Sequence, residues 1–191
     1  MRDAGRRRGK SKNCVGTAPQ CNLPGATTDL RHGSGVRTYC HIAGNIIYLH
    51  DMRLVLDTDV MVAALRSRRG ASRAWLLTVL RGQVEIALSV PLVLQYEEVL
   101  TRPEHLAQIG GTTRQIGRIF DAVCAVCHPI EISFLWRPTL RDPSDEMVLE
   151  TAVNGRADWL LTFNDKDFVG AERFGVKVGR PGPVWRLWKG I

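Results

Sequence analysis

Asp57 and Asp59 stand two positions apart, directly after the apolar run Leu54, Val55, Leu56 in "RLVLDTDVMVAAL". An acid there is costly to bury and is not needed to end a strand. Two further groups of polar and acidic residues sit far away in the chain. Asp142 and Asp145 open "RDPSDEMVL", and Asn164, Asp165 and Asp167 follow "DWLLT" in "FNDKDF". Carboxylates gathered within a few ångström repel one another unless a cation lies among them. Hard oxygen ligands suit Mg2+, or Mn2+. Each acid also has a plainer reading. Asp145 favours a helix N-terminus electrostatically, and Asp165 or Asp167 suits a turn.

Stepping outward, the elements that must position these residues are legible from Met52 onward. Residues 53–56 read as a buried strand and Val60–Leu65 as the start of a helix broken by "SRRG". A helix over 71–81 stops at Gly82, a residue favoured just past a helix end. "VEIAL" reads as a strand. Ser89 and Pro91 then open a helix through Leu100, closed before Pro103. A further helix lies near 112–126, "HPIEISFLWRPTLRDP" is irregular, and Ser144 caps a helix over 145–154 that ends at Gly155. "DWLLT" is a third strand and "GVKVG" a fourth. Short strands alternating with helices specify an α/β fold with a parallel sheet covered by helices. In such sheets ligand sites lie beyond the carboxyl ends of the strands, where Asp57 and "FNDKDF" fall.

The 191 residues, 45% apolar, support one ordinary core. None of the apolar runs reaches the roughly 18 to 20 residues needed to span a bilayer. The formal charge of +7 is uneven. Residues 1–51 hold eight Lys/Arg against three acids, whereas residues 52–191 hold eighteen against sixteen. The basicity therefore belongs to the leader and does not by itself mark the remainder as a nucleic-acid binder. Residues 1–51, rich in Gly, Arg, Thr and Ser and without an apolar signal core, read as a disordered basic leader. Met52, just before the first strand, is a plausible natural start. The alternative is a basic arm that contacts RNA phosphates.

Five cysteines without a secretory signal point to reduced thiols in a cytoplasm. "CAVCH", Cys124–His128, matches a haem-attachment spacing, but it ends an amphipathic helix carrying Ile116, Ile119, Phe120, Val123 and Cys127. Core cysteines are the expectation. Trp75, Trp136 and Trp159 read as core or interface residues, and Trp185 and Trp188 in "PVWRLW" as a partner surface.

"LVLDTDV", "LSVPLVLQYEEVLTRPEHL", "RDPSDEMVLETAVNGRADWLLTFNDKDF" and "GVKV" together resemble a PIN-domain nuclease, of the branch that serves as toxins in toxin–antitoxin pairs, akin to VapC toxins. The similarity runs from Met52 to about Val184, and Arg141–Phe168 is its most specific part. It implies a three-layer α/β/α fold with a short parallel sheet flanked by helices, and Mg2+-dependent hydrolysis of RNA phosphodiesters, with Mn2+ as an alternative ion. Asp57 matches the first acid of the family's "LDTN" motif, and Asp59 stands where that motif has Asn. Asp145 matches the acid opening the "D-x-x-(I/V)-(L/A)-x-x-A" helix. Asn164 and Asp167 match "T-x-N-x-x-D-F".

The implied catalytic set is Asp57, Asp145, Asp167 and Glu98, the three aspartates holding the metal, with Asp59, Gln95, Asp142 and Asn164 in support. Gln95 departs from the pattern, because the family carries an acid there. Glu98, one turn further on, flanks the same helix face and is expected to reach the cluster through a water. Arg66, Arg68 and Arg69 in "LRSRRG" are expected to hold RNA phosphates. A cognate antitoxin and a homodimer are the implied partners.

Two other readings fit parts of the sequence. One is a PIN fold weakened by Gln95 that binds RNA or antitoxin without turnover. The other is a haloacid-dehalogenase-like phosphatase, with Asp57 as nucleophile and Asp59 as acid/base. The second also needs a well-separated Lys and a late acidic motif that "NDKDF" matches poorly.

Overall fold

The computed structural model describes residues 52–191, together with the backbone of three short strands before them. These are β1 (Ala26–Thr28), β2 (Thr38–Ile42) and β3 (Asn45–Tyr48), paired antiparallel in the order β1-β2-β3. The rest of the leader, and with it the expectation of a disordered arm, lies outside the described residues.

From Met52 the chain builds a five-stranded parallel sheet in the order β6-β5-β4-β7-β8. Its members are β4 (Arg53–Leu56), β5 (Glu85–Ser89), β6 (His128–Ile130), β7 (Trp159–Leu161) and β8 (Lys177–Gly179). The central strands are apolar on consecutive positions, because a parallel strand covered on both faces has no side to give to water. Leu54, Val55 and Leu56 are all fully buried. The expected α/β class with a parallel sheet flanked by helices is what the chain adopts.

Among the described residues the strands are accompanied by seven α-helices: α1 (Thr58–Arg66), α2 (Ala71–Leu80), α3 (Val90–Leu100), α4 (Pro103–Ile109), α5 (Thr113–Val126), α6 (Glu146–Asn154) and α7 (Pro181–Lys189). The α6 helix contacts β4, β5 and β7, while α2 packs on α1, α5 and α7. As the sequence suggests, Ser89 caps α3 by accepting from the Leu92 amide. Gly155 is needed for a packing reason. A Cβ there would sit 2.8 Å from the Thr151 carbonyl oxygen and 3.1 Å from Ala87 and Ile130 side-chain atoms.

Five sequence expectations need correction. Pro103 does not only close α3; it also opens α4, since proline is favoured in the first helical turn, where its missing N–H is not needed. The "HPIEI" segment contributes β6, an edge strand on which a proline is tolerated. Ser144 does not cap α6: the capping position belongs to Asp145, and the Ser144 hydroxyl hydrogen-bonds Asp142 instead.

The cysteines of "CAVCH" are not both core residues. Ile116, Phe120 and Val123 take the buried face of α5, which leaves Cys124 exposed and Cys127 half-buried at the helix end. Finally, Trp185 and Trp188 do not form a free surface. They pack against the core with ring centroids 5.0 and 5.4 Å from Trp75. The Trp75 Nε1–H donates to the Pro181 carbonyl at 3.0 Å, pinning the start of α7 to α2.

Of the other tryptophans, Trp75 is fully buried, Trp159 is partly buried against the core, and Trp136 is half-buried beside Phe134 and Phe174. Truncating Trp75 removes the surface on which α7 is seated. Trp75→Ala is expected to cost about 3–5 kcal/mol of stability, measured by urea unfolding followed by circular dichroism.

Candidate functional site

β4 and β7 are neighbours in register, Leu56 opposite Leu161, so the residues that follow each strand emerge side by side. The Asp57 amide donates to the Leu161 carbonyl at 2.8 Å and extends the ladder by one step. Asp57 is also the residue that starts α1, its carboxylate accepting from the Thr58 amide at 2.6 Å. Its other oxygen accepts from the Thr162 hydroxyl at 2.6 Å. That hydroxyl in turn accepts from the Asn164 amide at 2.9 Å. The carboxylate is only 7% exposed. Burial raises its pKa above the ordinary carboxylate value, and the nearby Asp167 adds to the effect, while the hydrogen bonds from Thr162 and Thr58 oppose it.

Asp59, one position into α1, reaches back across the same strand ends. Its Oδ2 accepts from the Phe163 amide at 3.1 Å, while Oδ1 is buried with no hydrogen-bond partner. Burial and then the Asp57 charge push its pKa up to about 6. Asp145 is the cap residue of α6, yet its carboxylate bonds no backbone amide of that helix. Burial, followed by repulsion from Asp57, Asp142, Asp167 and Asp59, raises it to about 6 as well.

Asp145 has helical backbone angles, φ −86° and ψ −14°, in place of the extended ones from which a capping side chain reaches the first-turn amides. Asp142 takes the Ser144 amide and hydroxyl at 2.9 and 2.8 Å. The buried Glu146 accepts from the Thr139 and Leu140 amides, and Glu150 holds Arg137 through two guanidinium nitrogens. The segment before α6 is thus fastened by the two glutamates, and Asp145 is left to face the cleft.

A cleft of about 440 Å³ collects these groups. It is lined by Asp57, Thr58, Asp59, Arg66, Gln95, Asp145 and Asn164, by His105, and by the apolar Val62, Ala63, Val99 and Phe163. Gln95 of α3 accepts from the Thr58 hydroxyl at 3.0 Å. Below it, the Tyr96 hydroxyl bonds the Leu56 carbonyl, so α3 is anchored to the end of β4. Among the described residues, no group of three His, Cys, Asp or Glu side chains is arranged to hold a metal ion as it stands.

The structure thus brings together Asp57, Asp59, Gln95, Asp145, Asn164 and Arg66. Asp167, on the 3-10 turn Asp165–Phe168, is close enough to raise the pKa of both Asp57 and Asp145 but does not line the cleft. Asp142 stands behind Asp145, exposed, with its pKa lowered by the Ser144 hydrogen bonds.

Glu98 is a correction. Its side chain is 71% exposed and pairs with Arg102 at 2.8 Å, because Gln95 and Val99 already occupy the cleft side of α3. Arg68 and Arg69 are exposed and not part of the cleft wall. Sequence reasoning missed two residues. Thr162 had a signal, as the hydroxyl at the end of "DWLLT" beside two acids. His105 had none beyond a histidine two positions after Pro103. Its Nδ1 is buried without a partner, a state that costs on the order of 1–3 kcal/mol.

A model of the PIN domain family matches residues 53–166. The chain belongs to the PIN domain family. Among solved structures, a chain in the crystal structure of VapBC2 from Rickettsia felis bound to a DNA fragment from their promoter is 17% identical, covering 68% of this chain and 98% of that one, with a TM-score of 0.48. No curated protein matches the chain. The match to the PIN domain spans β4 through the "FNDK" segment, and therefore Asp57, Asp59, Gln95, Asp145 and Asn164. Asp167 lies one residue beyond it.

The crowding of acids in this PIN domain has a measurable sign. Asp59 and Asp145 hold protons up to about pH 6 when folded, against an ordinary value of 3.8. The folded state therefore binds more protons than the unfolded state across that window, and stability falls as pH rises through it. Both groups are partly open to solvent, so the effect is moderated by screening. In chelator, the melting temperature is expected to be higher at pH 5 than at pH 7.5, and Asp145→Asn is expected to narrow the gap.

Proposed function

We propose that this chain is a divalent-metal-dependent ribonuclease, and that it acts as the toxin of a toxin–antitoxin pair. The observation that carries this reading is the set of three acids, Asp57, Asp59 and Asp145, delivered by separate segments to one cleft, two of them pushed to about 6 and one with a buried carboxylate oxygen lacking any partner. A polypeptide gains no stability from that arrangement. A hard cation turns the repulsion into attraction, and oxygen donors of this kind fit Mg2+ or Mn2+. Asp57, Asp145 and Asp167 would hold it, with the orphaned oxygen of Asp59 and the amide of Gln95 beside them.

When bound, the ion neutralises phosphate charge and makes hydroxide available near neutral pH. The chain's own part is placement. Thr162 and the Thr58 amide fix the Asp57 carboxylate at the sheet edge. Glu146 and Glu150 hold the segment that aims Asp145. Val62, Ala63, Val99 and Phe163 supply the apolar part of the cleft wall. Hydrolysis forms a bond from water oxygen to phosphorus and breaks the bond to the 3′ oxygen, which takes a proton. The products are a 5′-phosphate and a 3′-hydroxyl.

A second reading has its own support. Gln95 replaces a charge that would strengthen cation binding, and among the described residues no three His, Cys, Asp or Glu side chains are pre-arranged to hold an ion. A PIN fold that binds RNA or an antitoxin without turnover is consistent with both facts. The phosphatase reading loses ground, since among the described residues none that lines the cleft is a lysine. Among the described residues, no helix is long and apolar enough to cross a membrane. Action in a cytoplasm with a cognate antitoxin, as a homodimer, completes the proposal.

The deciding experiment incubates the purified chain with structured RNAs, with and without Mg2+ or Mn2+. The parent is expected to cleave only with metal, and Asp57→Asn and Asp145→Asn are each expected to lower the rate by at least about a hundredfold. Gln95→Glu is expected to raise activity at limiting Mg2+. Undiminished cleavage by both aspartate variants overturns the reading. RNA binding without cleavage at saturating Mn2+ selects the non-catalytic module.

A further inference from the structure

Asp57 and Asp59 occupy one end of α1, and Arg66 ends its last turn. At 1.5 Å of rise per residue, the guanidinium-bearing end is roughly 12 Å along the helix from the acids. Arg66 nevertheless lines the same cleft. One of its nitrogens donates to the neutral Gln108 at 3.3 Å, and among the described residues it pairs with no carboxylate. Since a guanidinium carries five N–H donors, most of its capacity is unspent.

His105 belongs to the same wall. It lies three residues before Gln108 on α4, so the two share a helix face, and it lines the cleft with Arg66. Its Nδ1 is sealed off without a protein partner, so the imidazole does no structural hydrogen bonding through that atom. The α4 helix that presents it is set immediately after α3 by the Arg102–Glu98 pair, which spans the joint between the two helices. A guanidinium and an imidazole thus converge from different helices on a cleft whose other end is acidic.

We propose that His105 and Arg66 form a phosphate seat in the cleft that binds an RNA strand at a phosphate beyond the one being cut. This deepens the ribonuclease reading and rests on it for the identity of the strand. The separation along α1 assigns the seat to a neighbouring phosphate, so its contribution belongs to strand binding more than to the chemical step.

The test measures binding of a labelled short oligouridylate by fluorescence anisotropy, in an Asp145→Asn background of the full chain. That background slows cleavage, which chelator then suppresses, and removes one charge that repels the strand. His105→Ala and Arg66→Ala are each expected to weaken binding about tenfold, and Arg66→Ala to lower the slope of log affinity against log salt by about one. His105→Gln, which restores a donor, is expected to recover part of the loss. Should His105→Ala fail to fold, His105→Asn, whose amide stops short, gives the same readout.

With Asp145 intact, His105→Ala is expected to raise KM for RNA while leaving kcat nearly unchanged. Unaltered affinity and salt slope in the His105 and Arg66 variants overturn the seat, as does competition by polyglutamate where RNA has no effect. The two proposals fail separately. A parent that cleaves no RNA, yet loses oligouridylate binding on His105→Ala, keeps the seat and discards the nuclease. A parent that cleaves RNA with unchanged KM in His105→Ala does the reverse.

Discussion

The arrangement rests on the pairing of β4 with β7. Two parallel strands in register end at the same level, and each is followed at once by a residue that cannot be left alone: a buried carboxylate after β4, a hydroxyl after β7. The hydrogen bond between Thr162 and Asp57, 2.6 Å long and shielded from water, joins residues 105 positions apart. It holds the carboxylate in a place where burial disfavours its charge. Hydrogen bonding to the ionised form and desolvation pull in opposite directions here, and desolvation is the larger. Everything else in the cleft is referenced to that point. Asp59 crosses to the Phe163 amide, Thr58 reaches Gln95, and Tyr96 closes the back of the site on Leu56.

The second support is the segment from Arg137 to Ser144. Its backbone amides and its arginine are taken up by two buried glutamates of α6, with Asp142 closing the final turn. A helix N-terminus ordinarily absorbs the carboxylate of its capping residue. Here Asp145 has helical backbone angles, from which its side chain makes no capping bond, and its carboxylate lines the cleft. The glutamates that follow Asp145 on α6 are therefore structural, and the acid that looks structural is the one presented to the cleft.

How much of this was readable in advance follows from the kind of signal each feature leaves. Apolar runs such as "LVL" and "WLL" declare buried parallel strands, and acids after them declare a site at the strand ends. Asp57, Asp59 and Asn164 are legible for that reason, and Asp145 from its place at the opening of a helix. Short elements were not. "HPI" is too brief to show a period, and "PEHLAQI" begins with a residue that reads equally as a stop or a start. Glu98 was misread because helix spacing alone gives an angle and not a neighbour. Its actual partner, Arg102, lies four residues on and outside the cleft. His105 stayed hidden because a lone histidine carries no period, and its meaning comes only from Arg66 and Gln108 on the surfaces around it. The tryptophans of α7 read as a surface because a terminal segment offers no sequence hint of what it folds back upon.

One consequence follows from the acids of the cleft. Asp59 and Asp145 are retained where a neutral side chain would be easier to keep folded. Selection for foldability alone would favour asparagine or serine at these positions, so the two acids are a charge that the fold carries without needing it.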